Sequence, residues 1–132
     1  MPGTLEVHLV TPQREVWSGQ ADMVIARGTE GEVGILAGHA PMLIRLDIGW
    51  LRIKHDGSEE KAVVDGGFMH VTTGQGVTRV DVIADGAELA HEIDVRAAEH
   101  RAQELERRLE HKDDAGIRSE LSKAMARASL RR

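Results

Sequence analysis

The sequence predicts an α+β protein: an N-terminal antiparallel β-sandwich of about ten short strands, followed by a C-terminal antiparallel two-helix hairpin. Two observations lead to this class. Of the 14 glycines, 13 lie in residues 1–86, and only Gly116 lies beyond them. Apolar residues also alternate with a period of two in the first part and follow a helical period after about residue 90. We therefore expect a sandwich domain at 1–86 and a helical domain at 87–132.

Alternating apolar and polar residues predict the strands of the first part. The pattern occurs in the segments 5–9, 51–54 and 79–84, although Ile83 interrupts it in the last. One face of each strand should therefore be buried and the other exposed. The residues predicted to face inward are Leu5, Val7, Leu9, Leu51, Ile53, Val80, Val82 and Ala84. Clusters of turn residues punctuate the strands at 18–19, 55–58, 74–76 and 85–86.

Two amphipathic helices are predicted after residue 90. Their apolar stripes consist of Ala98, Ala102, Leu105 and Leu109 in the first, and of Ile117, Leu121, Ala124, Met125 and Ala128 in the second. Asp94 is placed to cap the first helix, and the short break at 111–116 predicts an antiparallel pair. Because alanine supplies much of both stripes, each helix buries few methylene groups. We expect the hairpin to be weakly held.

Composition excludes several classes of function. A net charge of −5 argues against nonspecific binding to nucleic acid, and the chain has no cysteine for a disulfide or a thiolate metal site. The longest apolar stretches span only a few residues, so the sequence predicts neither a membrane-spanning helix nor a signal peptide. Any membrane association is expected to come through a partner.

The residue types and their spacing also argue against an active site. Seven histidines are scattered without the short spacing of a zinc motif, and neither a nucleophile elbow nor a phosphate-binding P-loop is present. Glu30 and Glu32 could form an acid and base pair, but carboxylates flanked by glycines are better explained as facing solvent or a partner. We expect no catalytic residue and no metal site.

The most informative segment is the glycine-rich run, which extends from Gly28 to Pro41. Its glycine density excludes a helix, and the apolar residues among the glycines exclude a disordered linker. We interpret it as an ordered combination of loop, turn and short strand that contacts another protein. His39 within it is expected to be a turn residue whose ring bonds nearby backbone.

Four segments together resemble a known family. They are the glycine-rich run, Val64-Asp65-Gly66-Gly67-Phe68, the stretch from Val80 to Asp85, and Ile93-Asp94-Val95-Arg96-Ala97-Ala98. In this order and spacing they resemble the epsilon-subunit family of bacterial proton-translocating F-type ATP synthases, over nearly the whole chain. The resemblance implies a non-catalytic subunit of the central rotor, peripheral to the cytoplasmic face of the bacterial membrane. It would transmit rotation of the c ring to ATP synthesis in the catalytic head.

The resemblance also implies partners and contact residues. The sandwich would hold the gamma subunit on the c ring, with the membrane reached only through the complex and no nucleic acid bound. Residues carried over as contacts to the c ring or gamma subunit are Gly31, Glu32, Gly34, Gly38 and His39.

The hairpin would be the regulatory part of such a subunit. Residues 88–114 carry a net charge of −4, and residues 117–132 carry +4. In the extended state implied by the resemblance, the basic second helix would reach the alpha and beta subunits of the catalytic head and oppose ATP hydrolysis. The bases expected to do so are Arg118, Lys123, Arg127, Arg131 and Arg132.

Some members of this family bind ATP through an arginine motif at the start of the first helix. The matching positions here are Ile93, Asp94 and Arg96, with Arg101 a turn later, but Ala97 occupies the place where the motif has arginine. A shift of one residue turns a side chain by about 100° around a helix. We therefore expect ATP binding to be weak or absent and no other cofactor, with Asp94 serving simply as a helix cap.

Two other functions stay open at this point. A stand-alone sandwich could bind a small ligand or nucleotide, which requires a concave apolar pocket, although only three aromatic residues are available to line it. A zinc-dependent hydrolase would require ligands brought together without a sequence signal.

Overall fold

Eight strands and two α-helices make up the computed structural model, which describes residues 4–131, the Arg131 side chain excepted. The strands are β1 (Leu5–Val10), β2 (Glu15–Ala21), β3 (Met23–Gly28), β4 (Gly31–Leu36), β5 (Met42–His55), β6 (Ser58–Gly74), β7 (Val77–Ala84) and β8 (Ala87–Leu89). The helices are α1 (Val95–His111) and α2 (Ala115–Ala128), and short 3₁₀ turns occupy Ala90–Glu92 and Ser129–Arg131.

The strands form a sandwich from one hydrogen-bonded sheet. Their order is β2-β1-β7-β6-β5-β3-β4, with β8 beside β6. Ala21 of β2 and Ile35 of β4 lie at opposite ends of this order and yet share one buried core. The sheet must therefore fold over itself, so that both of its halves cover the same core.

The predicted α+β class is confirmed, and two details of the sandwich are corrected. Eight strands are found in the described residues instead of about ten, because β5 and β6 span 14 and 17 residues and replace several short strands. The sheet is mixed, since β1 runs parallel to β7. Parallel neighbours need a long connection, which the intervening strands β2 to β6 supply.

The predicted inward faces are confirmed. All eight residues expected to face inward are buried, each with less than a tenth of its surface exposed. They belong to one hydrophobic core that also includes Met69 and Val71 of β6. Period-two patterning thus identified the buried face of each of these strands.

Two of the predicted turns are tight two-residue hairpins. Asp56 and Gly57 join β5 to β6, and Gln75 and Gly76 join β6 to β7, all with positive φ. Positive φ at both central positions matches the twist of hairpin strands. The turn predicted at 18–19 is wrong, because these residues lie inside β2.

The Trp17 ring accounts for the glycine in β2. A Cβ atom at Gly19 would lie 2.9 Å from the Trp17 ring, so the missing side chain leaves room for the indole. Gly19 therefore serves packing within a strand and not a change of chain direction.

The helical unit is an antiparallel pair with its own small core. Ala102 and Leu105 of α1 pack with Ala124 of α2, and Ile117 and Leu121 lie partly buried against them. Asp94 caps α1, as predicted, by accepting a hydrogen bond from the Ala97 N–H at 3.0 Å. The core of the hairpin is built from few large side chains, in agreement with the alanine-rich stripes.

The chain divides into two compact units after Leu89. Strand β8 pairs with β6 and so belongs to the first unit, which places the division three residues after the predicted boundary at 86. Within residues 4–131, neither helix has the length and hydropathy that crossing a membrane requires.

Candidate functional site

The glycine-rich run forms a hairpin and a loop, as expected. Strand β3 ends at Gly28, a turn follows at Thr29 and Glu30, and β4 pairs back on β3 before the loop at 37–41. Strand β4 has a single neighbour and so forms an edge of the sheet. The run therefore presents an edge strand with a turn at one end and a loop at the other.

Three predicted contact glycines of this run differ in what a side chain would meet. Gly31 and Gly38 have φ of 130° and 85°, and a Cβ atom at either position would have no other atom within 4 Å. Their conformation, and not crowding, requires glycine. A Cβ at Gly34 would lie 2.9 Å from the terminal methyl of Met23, a flexible group that can move.

Glu32 and His39, the predicted polar contacts, occupy different places in the run. Glu32 lies in β4 opposite Arg27 of β3 and is exposed. The His39 ring is turned to its own backbone, where Nδ1–H donates to the Ala40 carbonyl oxygen at 2.7 Å. Both residues are within the run, but no side-chain interaction of the described residues joins them.

Two threonines hold the loop at 37–41 against the β6–β7 hairpin. The Gly38 N–H donates to Thr78 Oγ1 at 2.8 Å, and Thr73 Oγ1 donates to the His39 carbonyl oxygen at 2.7 Å. The two hydroxyl oxygens lie 3.1 Å apart. Thr78 is only 2% exposed, so its hydroxyl depends on these partners. No local pattern in the sequence points to this pair.

A groove lies between the β3–β4 turn and the start of β5. It has a volume of about 330 Å³ and is lined by residues 28–33 and 43–45. The residues that line it include the charged Glu30, Glu32 and Arg45. The groove is open and partly polar, whereas a pocket for a small ligand is enclosed and mostly apolar.

An exposed apolar row crosses the outer face of three adjacent strands. Phe68 of β6 pairs with Arg45 of β5 on one side and with Ile83 of β7 on the other. Leu43 is 65% exposed, Ile83 51% and Phe68 44%. The Arg45 guanidinium lies 5.7 Å from the centre of the Phe68 ring, within cation–π range.

Sequence reasoning missed this row, although the sequence contained one signal of it. Ile83 interrupts the alternation in β7 by placing an apolar residue on the outward face. Alternation alone cannot show that Phe68 lies beside Ile83, or that Leu43 lies diagonally from Phe68, because these positions depend on the register of three strands. We call Leu43, Arg45, Phe68 and Ile83 the apolar row.

The basic residues predicted for the second helix have partners inside the hairpin. Arg118 lies 2.7 Å from Asp113, Lys123 lies 3.3 Å from Glu120, and the Arg127 guanidinium donates to the Lys123 carbonyl oxygen at 3.0 Å. Arg132 and the side chain of Arg131 lie outside what the structure describes. The ion pairs are exposed and therefore weak.

The residues of the nucleotide motif show local roles. Asp94 caps α1, and Arg101 lies 3.4 Å from Glu104 on the same helix. Arg96 is exposed near the start of α1, and Ile93 is half-buried before it. These contacts accord with the helix-cap interpretation of Asp94, and weak or absent ATP binding stays a prediction.

One side-chain trio has the donor types of a metal site. Asp22, His55 and Asp56 each offer a ligand atom within 4.8 Å of the others. Both carboxylates are exposed, and Asp22 already accepts the Asp56 N–H at 2.9 Å. No spacing signal pointed to this trio, because Asp22 is far from His55 in sequence and only the β3–β5 pairing joins them. The predicted lack of a metal site stays a prediction.

These features define a class of protein before any comparison. A rigid sandwich presents a glycine-rich edge, a polar groove and an apolar row, and a separate helical unit carries exposed ion pairs. Such surfaces bind other proteins through apolar burial and charge. The class is that of a two-part binding subunit.

Comparison with known proteins identifies the family. The sequence model described as ATP synthase, Delta/Epsilon chain, beta-sandwich domain matches residues 4–90. The chain is 44% identical over 126 residues to the ATP synthase epsilon chain of Thermobifida fusca, covering 93% of this chain and 88% of that one. It is 45% identical over 109 residues to that of Pelotomaculum thermopropionicum, covering 83% and 78%. The chain therefore belongs to the ATP synthase delta/epsilon chain family.

A solved structure shares the fold. A chain in the cryo-EM structure of the Euglena gracilis mitochondrial ATP synthase, OSCP/F1/c-ring, matches with a TM-score of 0.75 at 24% identity, covering 98% of this chain and 80% of that chain. Family membership confirms the resemblance drawn from the sequence. It also confirms the prediction that the chain is a subunit of an ATP synthase and not an independent enzyme.

Proposed function

We propose that this chain is the epsilon-type subunit of the central stalk of a bacterial F-type ATP synthase, peripheral to the cytoplasmic face of the membrane. Its sandwich contacts the gamma subunit and the c ring and helps to transmit proton-driven rotation to ATP synthesis in the head. Its helical hairpin opposes ATP hydrolysis by contacting the alpha and beta subunits.

The apolar row is the observation that carries the sandwich half of this proposal. Exposed Phe68 and Ile83 pair directly across β6 and β7, and exposed Leu43 lies on the same face of β5, two residues from Arg45. Clustered apolar residues at a surface mark a binding site for another protein. The row adjoins the groove through Leu43 and Arg45, which belong to both. We assign the row and the glycine-rich run, with Gly31, Glu32, Gly34, Gly38 and His39, to the contacts with gamma and the c ring.

Exposed ion pairs support the regulatory half. Arg118 and Lys123 are paired with Asp113 and Glu120 at the surface, and such pairs contribute about 0–1 kcal/mol each. An acidic partner surface can therefore replace these contacts at little cost in free energy. The net charge of +4 over residues 117–132 favours such a partner.

Truncation tests the inhibitory role directly. A chain ending at Lys112 is expected to assemble into the complex through its sandwich and to raise the ATP hydrolysis rate of the assembled head. A triple substitution, Arg118→Ala, Lys123→Ala and Arg127→Ala, should also raise the ATP hydrolysis rate. The matched control is Arg107→Ala with Arg108→Ala, which removes bases from the first helix and should leave the rate unchanged. An unchanged rate after truncation would contradict the inhibitory role.

A native gel separates this function from the alternatives. The full chain should migrate with a large ATPase complex when it is expressed with the other subunits. A stand-alone ligand-binding module would remain monomeric, and a zinc hydrolase would retain stoichiometric metal after purification.

A further inference from the structure

Three hydrogen bonds link Thr73, Thr78 and the loop at 37–41, and the donor of each can be assigned. A backbone N–H can only donate, so Thr78 Oγ1 accepts from Gly38. A carbonyl oxygen can only accept, so Thr73 uses its single hydroxyl proton on His39. The remaining bond, between the hydroxyls, must then be donated by Thr78 to Thr73.

The directed chain begins and ends on consecutive loop residues. It runs from the Gly38 N–H through Thr78 and Thr73 to the His39 carbonyl oxygen, and so fixes the orientation of the backbone on both sides of the peptide that joins Gly38 to His39. The φ of 85° at Gly38 is open to glycine without steric cost, but glycine also leaves the loop free to adopt other conformations. The threonines select one of them.

The position of each threonine suits this role. Thr73 and Thr78 face each other directly in the β6–β7 hairpin, which rests on the buried residues Val71 and Val80. A rigid hairpin can therefore impose its geometry on the loop. Valine has the β-branched shape of threonine but no hydroxyl, so it can neither accept a hydrogen bond from the Gly38 N–H nor donate one to Thr73.

We propose that Thr78, acting through Thr73, is a positioning residue that holds the Gly38–His39 segment in the shape that binds the gamma subunit or the c ring. This inference rests on the proposed function, because it assumes that the segment contacts gamma or the c ring. Neither threonine needs to touch the partner itself.

Hydrogen exchange of the full chain tests the conformational part. Thr78→Val is expected to speed exchange of the Gly38 amide about tenfold or more, because the amide loses its acceptor. Thr78→Ser retains the hydroxyl and should leave the rate within about twofold of the wild type. The Val80 amide is the internal control and should be unchanged in both. Equal Gly38 exchange in the valine and serine variants would overturn the inference.

Binding to a purified subassembly of the gamma subunit and the c ring tests the functional part. Thr78→Val should weaken binding about fivefold or more, whereas Thr78→Ser should bind like the wild type. Thr73→Val is the second variant, because Thr73 is exposed and its loss threatens folding less. It should also weaken binding, while its melting temperature stays close to that of the wild type.

Two different failures can be told apart. If the wild type binds, and His39→Ala weakens binding while Thr78→Val and Thr73→Val do not, the inference is overturned and the proposed function stands. If the wild-type chain itself does not bind the subassembly, both the proposed function and the inference are overturned.

Discussion

The backbone of Gly67 in β6 lies directly against that of Ile83 in β7. A Cβ atom at Gly67 would overlap the Ile83 carbonyl oxygen and lie 2.8 Å from the Ala84 Cα. Its φ of 129° is also a conformation that side chains rarely adopt. Two independent constraints therefore require glycine at this position, where neither neighbouring backbone atom can move aside.

Gly67→Ala is expected to be among the most destabilising single substitutions in the sandwich, at about 3 kcal/mol or more. Gly74→Ala, at the last residue of the same strand, is the matched control. Its φ is not positive, no atom lies within 4 Å of a Cβ placed there, and the change should stay within about 0.5 kcal/mol. Urea unfolding of both variants measures the difference, and similar midpoints would contradict the steric argument.

Substitutions in the apolar row should separate binding from stability. Phe68→Ser removes a side chain that is 44% exposed and is expected to lower the free energy of unfolding by about 1–2 kcal/mol, because the covered part of the ring no longer packs on the sheet. Binding to the gamma subunit should weaken about tenfold or more, since the ring is central in the row. His70→Ala, on the same face of β6, is the control for the position. A loss of stability without a loss of affinity would assign the row to folding.

Removal of the Asp94 cap should act on the hairpin. Asp94→Ala leaves the Ala97 N–H without its acceptor and is expected to destabilise α1 by about 1 kcal/mol. Asp94→Asn keeps an oxygen acceptor and should retain most of this stability. Circular dichroism at the helical minimum, followed during heating, measures both. Equal loss in the two variants would indicate that the charge of Asp94 matters and its capping bond does not.

His8 should make a pH-dependent contribution to stability. A hydrogen bond with Glu6 at 3.0 Å raises the pKa of His8 above 6.5, partial burial opposes this, and Glu15 adds a smaller increase. The positive charge of Arg79 lowers the pKa of His8, and the negative charge of Asp81 raises it. Because the raised pKa belongs to the folded state, the stabilisation is full below pH 6.5 and is lost as the pH rises through the folded-state value.

An NMR titration of the His8 ring checks this expectation. Glu6→Gln should bring the pKa of His8 back toward 6.5, and Glu15→Gln should lower it by less, since Glu15 contributes less. The wild type should also lose stability relative to His8→Gln as the pH rises from below 6.5 through the folded-state pKa. If Glu6→Gln leaves the pKa of His8 unchanged, the hydrogen bond with Glu6 is not the cause of the raised pKa.

Local patterns in the sequence predicted much of the fold. Alternation in β1 and β7 identified buried faces, Asp56-Gly57 and Gln75-Gly76 identified two hairpin turns, and Asp94 identified the start of α1. Each of these signals acts between residues close in sequence, where side-chain direction and backbone preference suffice.

The same local reasoning failed where packing or distant segments decide the structure. Ser18-Gly19 has the sequence signature of a turn, and the turn predicted there is wrong. The glycine is explained by its close packing against Trp17, which depends on the rotamer of the indole and cannot be read from the sequence. The parallel pairing of β1 with β7 joins segments about seventy residues apart, and a pattern of period two is the same for either direction.

By itself, the sequence determined the class of the fold, the division into a β part and a helical part, and, through its glycine-rich run and downstream motifs, the family. Tertiary structure alone decided which residues act together at the surface: the apolar row, and the link from Gly38 and His39 to Thr78 and Thr73. The physical reason is that such groups are created by the register between strands far apart in the chain, which the packing of one shared core fixes and no single segment encodes.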